Sequence, residues 1–249
     1  MTAQQHKSSL SVETMEWTPE SVKQVNATLE GGAPEAVLRW GLENFVPSIV
    51  LSTGFGPEGI VLMHLVSQIR PETTVFYLDT DLLFAHTYQL RDELVKRLGI
   101  RFERVHSRIS LPEQALRHGD KLWDRDPDTC CHIRKVIPHR QFLANYRAWI
   151  TGIRRDQTAL RANTGLVEWD YANKMVKLNP LAAWTSNQVW DYIHAHNLPY
   201  NPLHDYGYPS IGCWTCTKAV ALGEDSRSGR WYGKTKTECG IHLHSIKKQ

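Results

Sequence analysis

Five cysteines in 249 residues carry most of the chemistry open to this chain. Cys130 and Cys131 are adjacent, within Asp128-Thr129-Cys130-Cys131-His132-Ile133-Arg134-Lys135. Cys213 and Cys216 form a Cys-x-x-Cys pair, and Cys239 stands alone in Glu238-Cys239-Gly240-Ile241-His242. A Cys-x-x-Cys lets two thiolates converge on one metal centre, whereas adjacent cysteines on an extended chain point to opposite sides. The tandem pair therefore needs a helical or kinked backbone to share a ligand. Four thiolates suit either Zn²⁺ or an iron–sulfur cluster. A thioredoxin-like redox pair is the weaker reading, because this Cys-x-x-Cys does not follow a strand into a helix. Five is an odd number, so at least one thiol is left over. If four are ligands, the remaining one is Cys239, in a Gly-containing tail expected to be mobile. Lys234, Lys236 and His242 lie close to it in sequence and would favour its thiolate.

A second set of residues suits an anion. Ser52-Thr53-Gly54-Phe55-Gly56-Pro57 is small, hydroxylated and Gly-rich, and it follows the β-branched run Ile49-Val50-Leu51. Free N–H groups and the positive end of a following helix can hold a phosphate there. No Gly-Lys-Ser/Thr follows and the GxGxxG spacing is absent, so this is neither a Walker loop nor a dinucleotide fingerprint. A second loop, Leu78-Asp79-Thr80-Asp81, also ends a strand-like run. Arg154, Arg155 and Arg161 follow a further one, in and after Thr151-Gly152-Ile153-Arg154-Arg155-Asp156-Gln157. Guanidinium groups match phosphate and sulfate oxygens as a bidentate fork. Arg227 and Arg230 form a third basic set, for which ordinary surface charge is the competing explanation. The histidines, His194 and His196 included, show no metal-binding spacing.

These groups need elements to position them. Helical spacing runs over residues 19–45, divided by Gly31-Gly32 and Pro34; a helix is expected over 59–68 and a longer one over 82–98, with Gly99 as its C-terminal cap. Strands are expected at 49–51, 73–78, 102–105, 149–151 and 175–178. Thr185-Ser186-Asn187-Gln188 forms a capping box before an apolar helix. The alternation predicts an α/β fold, a parallel sheet flanked by helices, with ligands in the crevice at the strand C-termini. Residues 1–20 are expected to be a mobile arm, 21–206 the nucleotide-binding domain, and 207–249 an irregular extension carrying the Cys-x-x-Cys and the lone cysteine. A net charge of +3 is too small for a polybasic nucleic-acid binder yet suits an anionic small substrate. No apolar run reaches the ~18 residues of a membrane span. The first residues lack the apolar region of a secretory signal. A soluble, cytoplasmic protein with no structural disulfides is expected; self-association as a homo-oligomer stays open.

Together these motifs resemble the assimilatory sulfonucleotide reductases, specifically the iron–sulfur type that reduces adenosine 5′-phosphosulfate, within the PAPS reductase family. The resemblance rests on Cys130-Cys131 with Arg134-Lys135, Gly212-Cys213-x-x-Cys216, Leu78-Asp79-Thr80, Thr151 to Gln157, Gly229-Arg230-Trp231 and Glu238 to His242, covering roughly Ile49 to His242. It implies an adenine-nucleotide α-hydrolase-like fold and a [4Fe–4S] cluster on Cys130, Cys131, Cys213 and Cys216. It further implies Cys239 as nucleophile, forming an S-sulfocysteine that a thioredoxin or glutaredoxin thiol releases as sulfite. Lys135, Arg161, Arg227 and Arg230 would contact the phosphosulfate, and Ser52, Gly54, Leu78 and Gly152 the adenine. Related ATP pyrophosphatases carry Ser-Gly-Gly-x-Asp-Ser where this chain has Ser52-Thr53-Gly54-Phe55-Gly56-Pro57-Glu58, which argues against ATP cleavage. Reduction of the 3′-phosphorylated nucleotide is an alternative; a zinc-stapled nucleotide-binding adaptor without turnover is another.

Overall fold

The computed structural model describes residues 16–242. Two helices, α1 (Pro19–Leu29) and α2 (Pro34–Phe45), come first, each with Pro in the first turn. There the missing N–H would have had no intrahelical partner. The expected N-terminal arm falls largely outside the described residues. Its last five residues are anchored: Thr18 and Ser21 form a reciprocal cap for α1, and the Trp17 ring packs edge-on against Trp40 at 5.2 Å.

The chain then alternates through β1 (Ile49–Thr53), α3 (Pro57–Ile69), β2 (Thr74–Asp79), α4 (Ala85–Leu98) and β3 (Phe102–His106). Four helices follow, α5 (Leu111–His118), α6 (Leu122–Arg125), α7 (Pro127–Cys131) and α8 (Ile137–Leu143). After β4 (Ala148–Ile150) come β5 (Val167–Asp170), β6 (Met175–Leu178) and α9 (Ser186–Ala195). The six strands form one sheet in the order β3-β2-β1-β4-β6-β5. All neighbours are parallel except β5, which runs antiparallel to β6. The expected all-parallel sheet is thus mixed at one edge. The short β5 escapes detection in the sequence because it depends on a turn: Asp170 Oδ1 accepts the Ala172 and Asn173 N–H groups at 3.0 and 3.1 Å. Such side-chain-to-backbone bonding by Asp makes a local turn.

The two faces of the sheet are built by alternation along each strand. Ile49 and Leu51, Val75 and Tyr77, and Ala148 and Ile150 enter the larger core, which α1 to α4 and α9 cover. Val50, Phe76 and Trp149 point the other way, onto Leu143 of α8. Gly99 adopts φ 66° as the left-handed cap of α4, as its position predicts. That helix begins at Ala85 rather than Leu82, because Leu82 and Leu83 are drawn off to meet the Cys213 segment. Among the described residues, no helix is long and apolar enough to cross a membrane.

One polar brace fixes the C-terminal end of β2. Arg104 on β3 reaches Asp79 at 2.6 Å and Asp81 at 3.0 Å, and Tyr88 donates to Asp79 at 2.8 Å. Burial pushes the Asp79 pKa up, but Arg104, the Asp81 N–H and Tyr88 outweigh it and hold the carboxyl below its ordinary value. That contribution is complete above an unfolded carboxylate pKa of about 3.9 and fades as pH falls through the lower folded value. The second carboxylate, Asp81, meets Arg134 at 2.9 Å, and Arg134 is only 1% exposed. This pair ties the β2 loop to the helical segment just after Cys131. Asp81 is itself exposed, so the pair is buried on the arginine side only, and losing the carboxylate leaves the Arg134 charge short of one charge-assisted bond. Asp81→Asn is therefore expected to lower the urea-unfolding free energy by about 1–2 kcal/mol, with an unchanged far-ultraviolet spectrum at 25 °C before the transition.

Candidate functional site

The C-terminal ends of β1, β2 and β4 open onto a cavity of about 740 Å³. Loops at adjacent strand ends splay apart at such a point and leave a crevice. Ser52, Gly54, Leu78 and Gly152 form its floor and wall. Ser52 Oγ donates across to the Ile150 carbonyl at 3.1 Å, and Thr53 Oγ1 accepts the Phe55 N–H at 3.0 Å. The cap residue of α3, Gly56, makes no side-chain cap, and the first turn of this 13-residue helix, Pro57, Glu58 and Gly59, lines the cavity. Gly152 is required by proximity: a Cβ there would lie 2.8 Å from the Glu58 Cβ. These small residues bring backbone within reach of a flat ligand.

The other end of the cavity is cationic. Lys135, Arg161, Arg227 and Arg230 all line it, together with Cys239. Arg161 Nη2 reaches Glu238 Oε2 at 2.7 Å, and Arg227 Nη2 reaches the same oxygen at 3.4 Å. Arg227 also donates to the Thr237 carbonyl at 2.8 Å, and Arg230 to Ser210 Oγ at 3.2 Å. Each of the three guanidiniums retains a buried Nε–H with no partner. Burial depresses the Arg227 pKa even though Glu238 works the other way. A group with several acceptor oxygens fits this arrangement, since unmet buried donors are costly and charge-assisted bonds strong.

Not every basic residue singled out in the sequence belongs here. Arg154 lines the cavity but is neutralised by Glu58 at 2.9 Å and Asp156 at 2.8 Å. Arg155 turns away and pairs with Glu30, the residue that caps the end of α1, at 2.8 Å. In the second loop, Leu78 faces the cavity while the Asp79 and Asp81 carboxylates are committed to the brace. Lys234 and Lys236 pair with Asp124 and Asp128. The cations that line the cavity beside Cys239 are Lys135, Arg161, Arg227 and Arg230.

A second, smaller cavity gathers Cys130, Cys131, Cys213 and Cys216. The tandem cysteines end α7, and a π-helical turn, His132–Val136, continues the same helix. This is the helical backbone that the tandem pair requires, with the extra residue per turn that often marks a functional site. Cys213 is held by an isolated antiparallel bridge to Leu83 and lies 3.2 Å from Thr80 Oγ1. Gln114 Nε2 approaches Cys130 Sγ at 3.8 Å. Among the described residues, no three Cys, His, Asp or Glu side chains converge as the ligands of a single metal ion.

Lys135, Arg230 and Trp231 line both cavities and form the wall between them. Arg230 stacks over Trp231 at 4.6 Å. Burial opposes the Lys135 charge, yet the Cys213, Cys239 and Cys131 sulfurs outweigh it and raise its pKa above the ordinary lysine value. A recessed ammonium stabilised by sulfur rather than by carboxylate fits a set of thiolates bound to a cationic metal centre. Without such a centre, burial pushes Cys130 up to about 12 and Cys131 up to about 11.

The tail is docked through His242, whose ring stacks on Trp149 at 5.5 Å and 9°. Burial lowers the His242 pKa well below its ordinary value and brings that of His139 down to about 3, so both rings are neutral here. The sequence reading missed Glu238 as an occupant of the cationic end, and Trp190, His194, Tyr200 and His204 as an aromatic end of the cavity. Trp190 and His194 are four apart on α9, with rings 5.8 Å apart, so helical spacing alone could have flagged them.

The mostly parallel six-stranded sheet flanked by helices is an α/β fold of the adenine-nucleotide α-hydrolase-like kind. A Candida glabrata FMN adenylyltransferase shares that fold at a TM-score of 0.55 and 18% identity, covering 80% of this chain and 66% of its own. Residues 48–219 match the phosphoadenosine phosphosulfate reductase domain, and the chain belongs to that family. The Salinibacter ruber adenosine 5′-phosphosulfate reductase is 50% identical over 227 residues, spanning 91% of this chain and 90% of that protein. A Bacillus cereus protein of the same name is 46% identical over 208 residues, spanning 83% and 89%. The structure of a Candida auris phosphoadenylyl-sulfate reductase matches with a TM-score of 0.72 and 30% identity, covering 83% of this chain and 99% of that one.

The raised thiol values give a direct expectation. In metal-stripped native protein, alkylation of Cys130 and Cys131 should climb with pH and not level off below about pH 11, because only the thiolate reacts. Peptide mass spectrometry after timed alkylation checks this.

Proposed function

We propose that this chain reduces adenosine 5′-phosphosulfate to sulfite and AMP in sulfate assimilation toward cysteine biosynthesis, with thiols as the electron source. The observation that carries this reading is the lone fifth cysteine at the cationic end of the adenylyl cavity. The S-sulfonucleotide reductases to which the chain is similar are named for this reaction.

Ser52, Gly54, Leu78 and Gly152 hold the adenosine part largely through backbone groups. Lys135, Arg161, Arg227 and Arg230 take the phosphosulfate. The substrate and a thiolate repel each other, so these cations are needed both to bring them together and to stabilise the leaving phosphate. Cys239 Sγ attacks the sulfate sulfur; an S–S bond forms, the S–O bond to the phosphate breaks, and AMP leaves with the electron pair. The enzyme then carries an S-sulfocysteine. A donor dithiol, thioredoxin or glutaredoxin, sends one thiolate to Cys239 Sγ. Sulfite departs, a mixed disulfide forms, and the second donor thiol resolves it. The donor ends as a disulfide, having supplied two electrons, and Cys239 returns as a thiol. A reducing cytoplasm provides this donor and keeps all five cysteines unpaired.

Cys130, Cys131, Cys213 and Cys216 are assigned to a [4Fe–4S] cluster. When bound, it supplies negative charge beside Lys135 and ties the tandem-cysteine helix to the Cys213 segment. Lys135 balances that charge on one side and faces the substrate on the other. Both electrons come from the donor dithiol, so no step passes through the cluster.

Sulfite production from adenosine 5′-phosphosulfate with a thioredoxin-regenerating system tests the reading, with the 3′-phosphorylated nucleotide assayed beside it. The unphosphorylated substrate should be strongly preferred, and Arg227→Ala should lower kcat/KM by roughly 10²- to 10³-fold. Anaerobically purified protein should be brown and contain iron. Turnover by colourless, iron-free protein would overturn the cluster assignment, and no sulfite from either nucleotide would overturn the activity.

A further inference from the structure

The residue beside the proposed nucleophile occupies the guanidiniums that would bind the substrate. Glu238 is 5% exposed, and its Oε2 is shared end-on between Arg161 at 2.7 Å and Arg227 at 3.4 Å. Its Oε1 is buried and has no partner, and each of the two arginines keeps an unpaired Nε–H. Arg–carboxylate pairs frequently meet both oxygens in a two-bond fork, and buried ones repay desolvation only when the remaining lone pairs are satisfied. This contact uses one oxygen for two cations and leaves donors and an acceptor unmet. It holds the charge in place with little of the available hydrogen bonding.

We propose that Glu238 is a stand-in anion, which the anionic end of the nucleotide displaces from Arg161 and Arg227. The inference rests on the reading of the cavity as an adenylyl site. A phosphate or phosphosulfate brings more charge and more oxygens than a carboxylate, so it satisfies the free Nε–H groups that Glu238 leaves unpaired. Because Glu238 precedes Cys239 directly, the exchange releases the backbone of the nucleophile at the moment substrate arrives. Two other anchors of the tail do not touch the arginines: Lys236 pairs with Asp128, and His242 stacks on Trp149. Arg227 keeps its bond to the Thr237 carbonyl at 2.8 Å, so the tail loosens from Glu238 onward while both flanks stay attached. Cys239 gains freedom to turn toward the incoming sulfur without leaving the cavity. Glu238 is a positioning residue in this scheme, and it also sets the threshold an anion must pass to bind.

The test compares AMP with adenosine, which lacks the phosphate, by calorimetry on the full chain and on Glu238→Gln. The substitution removes the competing charge and keeps the shape. It should tighten AMP roughly threefold or more, in line with loss of a partly screened charge competitor, and leave adenosine affinity unchanged. Equal AMP affinity in the two proteins, or the same change for both ligands, overturns the exchange alone. Failure of the unmodified chain to bind AMP or adenosine overturns the adenylyl reading and the exchange with it. A second measurement needs no variant: AMP, but not adenosine, should speed amide exchange over residues 237–240. Unchanged or slower exchange there contradicts the displacement.

Discussion

Four cationic side chains meet at one end of the cleft, and most of the architecture follows from keeping them neutralised. Lys135, Arg161, Arg227 and Arg230 come from the tandem-cysteine helix, the loop after β4 and the C-terminal extension. Concentrating positive charge in a recessed site is unfavourable unless anions share it. Two anions answer this one, the Glu238 carboxylate and the substrate whose binding we propose, and the four cysteines behind Lys135 and Arg230 would add negative charge with a cluster bound. The site thus stays assembled before nucleotide binds, and the same groups are ready when it does.

The wall of Lys135, Arg230 and Trp231 explains why the four-thiol cavity stands so close to the proposed chemistry. A cluster placed there would act on substrate through these shared cations. The Asp81–Arg134 brace keeps that wall in register with the sheet, because it fastens the segment after Cys131 to the end of β2. Stability and function meet at this pair: the buried arginine has no solvent to fall back on, so the brace resists movement of the cysteine helix.

Much of this was legible in the sequence. Five cysteines in two pairs plus one required a division of roles, and the strand–helix alternation from residue 49 onward required a crevice at the strand ends. The two pairs do share one cavity, and Cys239 faces the other. What could not be read depended on contacts far apart along the chain. Arg155 and Arg161 look alike in sequence, but one meets Glu30 just after α1 and the other meets Glu238. The Leu78–Asp81 loop stands at a strand end as a ligand loop should, but Arg104 and Arg134 take up its two carboxylates. The edge strand β5, Val-Glu-Trp-Asp, carries two acidic residues in four and no apolar run, and its turn is made by Asp170. The tail reads as a mobile segment because most of its anchors, Trp149, Asp128 and Arg161, are distant in sequence, and Arg227, ten residues before Thr237, sits in an aperiodic stretch.

The central claim is that Cys239 alone receives the sulfur group before any donor acts. Intact-protein and peptide mass spectrometry after mixing the anaerobic chain with adenosine 5′-phosphosulfate, in the absence of reductant, measures this directly. The account predicts one sulfonate per chain, on Cys239, with one equivalent of AMP released. A sulfonate on any other cysteine, or AMP and sulfite release with no protein-bound sulfonate at any time point, would contradict it.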